Sequence, residues 1–331
     1  MPMFTSPSHA VNAVIKPEFD PSNAPEIDPD VRDRLTLARS RVNAAIVGKG
    51  AQVDLSLVCL LSGGHLLLED APGAGKTVLA KALAGVVDVP FSRVQFTPDL
   101  MPSDILGVSV YRPATQDFVL RKGPVFSGVM LADEINRGSS RTQSALLEAM
   151  AEGQVSIDGQ TLELPETFMV IATQNPLDGV GTFPLPPAQK DRFLFSMSLG
   201  HPDRESEMDL LRDPSRYGRS SSKVGAILSA SDLSEILRAG RAVTVSDMLL
   251  SYIHRLVIAT REDGEIGSGL STRAALALVD ASRFRALLSG RGYAIPEDVQ
   301  DVFIPLARHR IHPAHGAPAA VLDAILSRVA V

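Results

Sequence analysis

One segment constrains the fold of this chain more than any other, because an apolar run passes through a glycine-bearing turn into a Lys-Thr pair. It extends from His65 to Thr77 and reads HLLLEDAPGAGKT. The apolar run predicts a buried strand, and the Lys-Thr pair predicts the first turn of a helix. At such a junction, successive backbone N–H groups and the helix dipole together favour a bound phosphate. The segment therefore predicts a strand–loop–helix unit with an anion site at the loop.

The polar residues of this loop are of the types that a nucleoside triphosphate requires. Lys76 is expected to reach the β- and γ-phosphates, and the Thr77 hydroxyl is expected to ligate Mg²⁺. Asp70 stands where the consensus G-x-x-x-x-G-K-[ST] has glycine, whereas the inner Gly73 and Gly75 are both present. We therefore predict a loop that binds ATP through Asp70, Ala71, Pro72, Gly73, Ala74, Gly75, Lys76, Thr77 and Val78.

A second apolar run, SGVMLADE at 127–134, ends in two carboxylates. It predicts a buried parallel strand whose carboxyl end opens at a ligand crevice. Asp133 is expected to hold Mg²⁺, directly or through water, and Glu134, pointing the other way, is expected to polarise an attacking water. Each motif alone has an alternative. The segment 65–77 could be a strand–turn–helix junction that binds no ligand, and the segment 127–134 could be a strand that ends in solvated acids. Together the two motifs predict a Mg²⁺-dependent nucleoside triphosphatase.

Composition and charge narrow the class of protein. The length of 331 residues suggests about two domains, and the net charge of −6 provides no global basic field for nucleic acid. The single cysteine, Cys59, excludes an internal disulfide framework and lies in an apolar run, so we expect a buried, inert thiol. We find no segment with the apolar length of a membrane span and no signal peptide, so we expect a soluble cytoplasmic protein.

The pattern of elements divides the chain into three parts. The proline-rich residues 1–28 are expected to form a flexible extension. Residues 29–200 alternate strands with helices, which predicts an α/β domain with a parallel sheet and right-handed crossovers. Alternating segments at 107–120 and 154–164 predict two β-hairpins that interrupt this alternation. Residues 201–331 show helical stretches only and predict a small helical domain.

Several sequence blocks in the first predicted domain stand at a characteristic spacing: GPVF (123–126), DEINR (133–137), TQSALLEAM (142–150), ATQNP (172–176), GTFPLP (181–186) and AQKDRFLF (188–195). Together they resemble the AAA+ ATPases, specifically the MoxR family. In the second domain, GLSTRA (269–274) is similar to the family's GASPRA; Leu270 and Thr272 depart from it and Arg273 is kept. The resemblance implies an AAA+ P-loop core with two hairpin inserts, a helical lid domain, and hydrolysis of ATP with Mg²⁺.

The resemblance also implies roles for residues outside the two motifs. Asn175 is similar to the polar sensor that orients the hydrolytic water, and Arg192 to the arginine finger that reaches a neighbouring subunit's γ-phosphate. Arg273 resembles the second sensor, acting in its own subunit or the next. Val47 and Gly48 look like the turn that contacts adenine.

From the residues alone, each of these roles has an alternative. Asn175 could be a turn residue before a proline, and Arg192 could form a surface ion pair with Asp191. Arg137 and Arg141 are rival candidates for contacts across a subunit interface. A glycine that simply ends a helix would resemble the adenine-contacting turn.

A finger acting in trans implies a homo-oligomer, and the resemblance suggests a hexameric ring with a partner that carries a von Willebrand factor A domain. The implied work is chaperone-like remodelling or maturation of a protein complex, with no nucleic acid. The hairpin tips, Tyr111 with Arg112 or Asp158 with Gln160, are candidate client contacts. The alternatives are a nucleic-acid motor or transcription-activator ATPase, a metal-chelatase ATPase subunit, and a nucleotide switch without hydrolysis.

Three histidines near the carboxyl terminus invite a metal-site interpretation. His309, His312 and His315 recur every third residue, but Pro313 interrupts the helix that would align them. No cysteine or carboxylate cluster accompanies them, so we expect ordinary surface histidines.

Overall fold

The computed structural model describes residues 24–71, 73–175, 182–202, 204–213 and 225–331, together with residues 20 and 22. Pro72 of the predicted phosphate loop lies outside the described residues, as do Pro176, Gly181 and most of the predicted extension 1–28.

Nine strands occur among the described residues: β1 (Leu66–Glu69), β2 (Phe91–Gln95), β3 (Gly107–Arg112), β4 (Asp117–Lys122), β5 (Val129–Asp133), β6 (Gln154–Ile157), β7 (Gln160–Glu163), β8 (Met169–Gln174) and β9 (Phe195–Met197). Five of them form a parallel sheet in the order β2-β5-β8-β1-β9. The central strands β5, β8 and β1 are buried along nearly their whole length, which explains their uninterrupted apolar sequences. Because the strands are parallel, their carboxyl ends meet at one edge of the sheet.

The helices of the described residues are α1 (Pro29–Ala45), α2 (Gly50–Leu61), α3 (Lys76–Val86), α4 (Pro102–Leu106), α5 (Ser140–Glu152), α6 (Pro187–Lys190), α7 (Arg204–Arg212), α8 (Ala230–Ala242), α9 (Asp247–Glu262), α10 (Thr272–Leu288), α11 (Pro296–Ala307) and α12 (Pro318–Arg328). Side-chain caps fix the N-terminal ends of several of these helices. Asp28 caps α1 by accepting from the Asp30 amide, and Ser139 caps α5 by accepting from the Thr142 amide. The predicted α/β core and helical carboxyl-terminal part are confirmed.

Two antiparallel hairpins project from the core, as predicted. β3 pairs with β4, and β6 pairs with β7. The second hairpin turns at Asp158 and Gly159, whose φ angles are 50° and 79°. A two-residue turn with both φ angles positive matches the right-handed twist of the strands that it joins, which is why Asp-Gly marks it in sequence.

Two apolar clusters form among the residues that the structure describes. The larger cluster joins α1, α2, α3 and one face of the sheet to the carboxyl-terminal helices, so this helical part packs directly on the core. Cys59 lies within it, fully buried, and burial raises the pKa of its thiol, as expected for an inert residue. The smaller cluster fills the space between the other face of the sheet, α5 and the second hairpin.

One expectation for the carboxyl-terminal histidines is wrong. His309 is 5% exposed, and its Nε2 lies 2.9 Å from the Phe193 carbonyl oxygen. His312 and His315 are exposed. The described helices include none that is long and apolar enough to cross a membrane.

Candidate functional site at the phosphate loop

A cleft of about 350 Å³ opens at the carboxyl edge of the sheet. Its lining comes from the loop after β1, the start of α3, β2, the end of β5 and the residue after β8: Gly73, Gly75, Lys76, Thr77, Val78, Arg93, Gln95, Asp133, Glu134 and Asn175. The fold therefore brings together residues that lie about a hundred positions apart in sequence.

The loop itself depends on its two inner glycines. Gly73 and Gly75 both have a φ of +90°, a left-handed conformation that side chains disfavour, while a Cβ at either position would meet no atom within 4 Å. Backbone conformation, rather than space, requires glycine here. Gly75 is the N-cap of α3, so the orphan amides of the first helical turn face the loop. The Lys76 ammonium lies 3.0 Å from the Asp70 carbonyl oxygen, within the same loop.

Asp70, which departs from the glycine of the consensus, has a defined place. Its side chain is 6% exposed and accepts hydrogen bonds from the Ser198 hydroxyl at 2.5 Å, the Leu199 amide at 2.7 Å and the Gly200 amide at 3.0 Å. Such charge-assisted bonds are stronger than neutral ones. Asp70 therefore fastens the phosphate loop to the segment that follows β9.

Asp133 ends β5 with both carboxylate oxygens engaged. Oδ1 accepts from the Thr173 hydroxyl at 2.6 Å, and Oδ2 accepts from Arg93 Nη2 at 2.6 Å. The Thr77 hydroxyl shares the cleft with this carboxylate. Carboxylate and hydroxyl oxygens are hard donors, so this donor set fits Mg²⁺.

Glu134 does not follow the strand alternation that the sequence suggested. β5 ends at Asp133, and Glu134 takes a left-handed conformation with a φ of 54°. Its side chain lines the same cleft as Asp133, accepting from Gln95 Nε2 at 2.8 Å and pairing with Arg137 Nε at 3.1 Å. A non-glycine residue in this conformation is uncommon and tends to occur at functional sites.

Three residues of the site escaped the sequence analysis: Arg93, Gln95 and Thr173. Arg93 and Gln95 are two apart on β2, so they share one face of that strand. The Thr173 hydroxyl also accepts from the Glu134 amide at 2.9 Å, and so orients both acidic residues. The sequence gives little sign that these three residues belong to the site. They reach it only because β2 and β8 pair with β5 on either side, and this pairing joins strands that are distant in sequence.

The remaining predicted residues take different places. Asn175 lines the cleft directly after β8. Val47 and Gly48 line a second cleft of about 540 Å³ between the end of α1 and the start of α2. Beside them Lys49 is buried, and its ammonium donates to the His201 carbonyl. Gly48 has a φ of 74°, consistent with its position just after a helix.

Neither of the two predicted arginines lines the 350 Å³ cleft, as far as the described residues define it. Arg192 is exposed and donates to the Leu147 carbonyl oxygen at 3.1 Å. In the described part of the chain, Asp191 pairs with Arg310 at 2.7 Å and not with Arg192. Arg273 is exposed at the second position of α10.

A buried histidine supports the strand from which the loop emerges. His65 precedes β1, and its Nε2 lies 3.1 Å from the Met150 carbonyl oxygen while its Nδ1 accepts from the Val170 amide at 3.0 Å. These partners fix the neutral ring with its proton on Nε2. Burial lowers the pKa of His65 to about 4.

Comparison with known families agrees with this architecture. Residues 65–195 match the family described as "ATPase family associated with various cellular activities (AAA)", and residues 258–329 match the AAA lid domain. The fold is that of an AAA+ ATPase core with a helical lid.

Individual relatives narrow the assignment. The chain is 41% identical to chaperone MoxR1 of Mycobacterium tuberculosis over 89% of this chain and 82% of the relative. It is 30% identical to protein MoxR of Methylorubrum extorquens, over 85% of this chain and 88% of that protein. A crystal structure from Cytophaga hutchinsonii, described as a candidate ATPase, superposes with a TM-score of 0.83 at 38% identity and covers 91% of this chain and 95% of its own. The chain belongs to the MoxR family of AAA+ ATPases.

Proposed function

We propose that this chain is a Mg²⁺-dependent ATPase that assembles into a homo-oligomeric, hexameric ring and remodels or matures a protein complex. One observation carries the enzymatic part of the proposal. A phosphate loop, two acidic residues and a polar residue after a neighbouring strand line one cleft: Gly73, Gly75, Lys76, Thr77, Asp133, Glu134 and Asn175. This is the set that phosphoryl transfer to water requires.

In this proposal, backbone amides of the loop and the first turn of α3 bind the phosphates of ATP. The Lys76 ammonium exchanges the Asp70 carbonyl for oxygens of the β- and γ-phosphates. The cleft beside Val47 and Gly48 receives the adenine ring. Asp70, Ala71, Pro72, Ala74 and Val78 belong to the same proposed nucleotide site, and Val78 lies in the first turn of α3.

Thr77 and Asp133 would hold Mg²⁺, and the Thr173 hydrogen bond orients the Asp133 carboxylate for it. When bound, Mg²⁺ neutralises charge that develops on the phosphate oxygens. Metal binding must compete with Arg93 for Asp133, since the ion pair is 2.6 Å long.

Glu134 is the proposed general base, and Asn175 orients the water that Glu134 polarises. Gln95 and Arg137 both bond Glu134 Oε2. In this proposal the other carboxylate oxygen, Oε1, takes the proton of the attacking water.

Two arginines complete the proposal from outside the cleft. Arg192 is exposed, as a finger that reaches the γ-phosphate of a neighbouring subunit must be. Arg273, exposed at the start of α10, is the proposed second sensor. In this proposal each site borrows an arginine from the neighbouring subunit, so turnover requires the ring.

The chaperone-like role draws on the relatives, one of which carries the name chaperone MoxR1. A partner with a von Willebrand factor A domain belongs to the same proposal. The first hairpin offers a client contact, because Tyr111 and Phe118 form an exposed aromatic pair with ring centroids 5.4 Å apart.

The test compares ATP hydrolysis and nucleotide retention for wild type and Glu134→Gln, with and without Mg²⁺. We expect Mg²⁺-dependent turnover by wild type only and retention of ATP by the variant, which then serves to capture partners. Equal turnover by both proteins would contradict the role of Glu134, and turnover without Mg²⁺ would contradict the metal requirement.

A further inference from the structure

The turn that follows α11 clasps the segment that carries Arg192. α11 ends at Ala307, and the turn after it folds back onto residues 191–194, which connect α6 to β9. Arg310 is the centre of this contact. Its side chain is only 7% exposed, which is rare for an arginine unless it is fully paired.

Each guanidinium nitrogen of Arg310 has a partner in that segment. Nε donates to Asp191 Oδ1 at 2.7 Å, and Nη1 donates to the Leu194 carbonyl at 3.0 Å. Nη2 donates to the carbonyls of Asp191 at 3.2 Å and Phe193 at 2.7 Å. Nη1 also bonds the carbonyl of Leu306, which ties the guanidinium to the last turn of α11. His309 adds a second contact to the Phe193 carbonyl, at 2.9 Å.

Arg192 lies between the two residues that Arg310 holds most closely, Asp191 and Phe193. The backbone on each side of Arg192 is therefore fixed, while the Arg192 side chain is exposed and touches only the Leu147 carbonyl among the contacts described above. Burying the Arg310 charge carries a large desolvation penalty, which its hydrogen bonds to Asp191 and to the backbone carbonyls offset. These same bonds hold the backbone on both sides of Arg192.

We propose that Arg310 is a positioning residue for Arg192, setting the direction in which Arg192 leaves its subunit. This inference rests on the proposed role of Arg192 as a finger in trans. It makes the helical lid of one subunit a determinant of hydrolysis in the next. The same turn also approaches the strand before the phosphate loop, since Arg308 Nη2 lies 3.6 Å from Glu69 Oε2.

A lysine cannot replace this clamp. Arginine offers donors from three nitrogens in one rigid plane, whereas lysine has a single nitrogen on a flexible stem. Arg310→Lys thus keeps the charge opposite Asp191 but loses most of the carbonyl contacts. An ångström-scale displacement of a catalytic group typically costs about 10²-fold in rate.

The test separates the two sides of a shared site by mixing subunits. Lys76→Ala subunits retain Arg192 but lack a working phosphate loop, and Arg192→Ala subunits have the reverse defect. Mixing them should restore part of the ATPase activity through sites that combine one intact half from each. Arg310→Lys is then added to one subunit type at a time.

We expect an asymmetric result. The double variant Lys76→Ala/Arg310→Lys, which must supply the finger, should lose about 10²-fold of the restored activity. The double variant Arg192→Ala/Arg310→Lys, which only holds nucleotide, should restore activity to within about twofold, since Arg310 acts through Arg192. Equal losses in both mixtures would mean that Arg310 stabilises the subunit as a whole, and equal retention would mean that it positions nothing. Either result overturns the proposal.

Two controls keep the result interpretable. Arg291→Lys changes another paired arginine, which bonds Asp298 at 2.6 Å and 2.7 Å between carboxyl-terminal helices, and should show no asymmetry. If Arg310→Lys does not fold, the variant Asp191→Asn is used in its place in the same mixtures, because it removes the carboxylate partner of Arg310. A parent mixture that restores nothing would contradict the trans finger, and hence this inference with it. A restored parent mixture with no asymmetry would contradict this inference alone.

Discussion

The Thr173 hydroxyl donates a 2.6 Å hydrogen bond to Asp133 Oδ1, joining the ends of two neighbouring parallel strands. The Thr173 hydroxyl oxygen also accepts a 2.9 Å hydrogen bond from the amide of Glu134, the residue after Asp133. Thr173 is fully buried. A single hydroxyl thus sets the direction of one acidic side chain and the backbone of the next.

Thr173→Val is the direct probe of this relationship, because valine keeps the shape of threonine and removes both hydrogen bonds. We expect kcat to fall about tenfold, since a lost buried hydrogen bond costs on the order of 1–2 kcal/mol. Nucleotide affinity should change less than kcat. Steady-state kinetics and binding of a fluorescent ADP measure the two effects. Thr173→Ser, which keeps the hydroxyl, should remain near wild type; an equal loss in both variants would contradict this account.

Substitutions should separate the role of the phosphate loop in nucleotide binding from the role of the acidic pair in hydrolysis. Lys76→Ala should abolish nucleotide binding, because the ammonium that balances the phosphate charge is gone. Glu134→Gln should bind ATP normally and turn over slowly, because an amide cannot act as a base. Equilibrium binding and a single-turnover assay distinguish the two defects. Binding of ATP by Lys76→Ala with wild-type affinity would show that the cleft has been assigned to the wrong ligand.

Asp70 should matter more for stability than for nucleotide binding. Asp70→Gly restores the consensus glycine but removes three hydrogen bonds to the segment after β9, leaving the buried Leu199 amide without its acceptor. We expect the free energy of unfolding to fall by about 2–3 kcal/mol and nucleotide affinity to change by less than about threefold. Asp70→Asn, which keeps one acceptor oxygen, should lose an intermediate amount. Urea denaturation gives these values; an unchanged midpoint for Asp70→Gly would refute the structural role.

His65 should make stability depend on pH. Its pKa in the folded state is about 4, below the ordinary value of 6.5, because burial disfavours the charged ring. The neutral ring is the form that the fold stabilises, so this contribution is complete above pH 6.5 and declines as the pH falls toward 4. As the pH falls from 7 to 5, the His65 contribution should lower the free energy of unfolding by about 2 kcal/mol.

Comparison of wild type with His65→Gln isolates that contribution. Glutamine does not titrate, so its unfolding free energy should vary less over the same pH interval, although the absolute stability of this variant is lower. His309, whose pKa burial also lowers, is common to both proteins and cancels from the difference. Identical pH profiles would show that His65 is not buried in its neutral form.

The sequence predicted well those features that are local. The strand, loop and helix around Gly73 and Gly75 are contiguous in sequence. The pair Asp158-Gly159 predicts a hairpin turn because both residues tolerate a positive φ. The lining of the cleft was partly predictable, because parallel strands bring their carboxyl ends together wherever they lie in the sheet.

The features that were missed depend on contacts distant in sequence. Arg93 reaches Asp133 because β2 lies beside β5, and no local pattern specifies that order. The prediction for Glu134 assumed that the strand continued, whereas β5 ends one residue earlier. His309 was expected at the surface, but the turn after α11 packs it against Phe193, 116 residues away.

In the proposed mechanism, turnover requires an assembly in which subunits complete one another's sites. The most direct measurement is ATPase activity per subunit as a function of protein concentration, with mass determined by light scattering in Mg²⁺ and ATP. The account predicts that activity per subunit rises as the protein passes from monomer to ring, and that the two curves share a midpoint. A dilute monomer with the same activity per subunit as the assembled ring would contradict it.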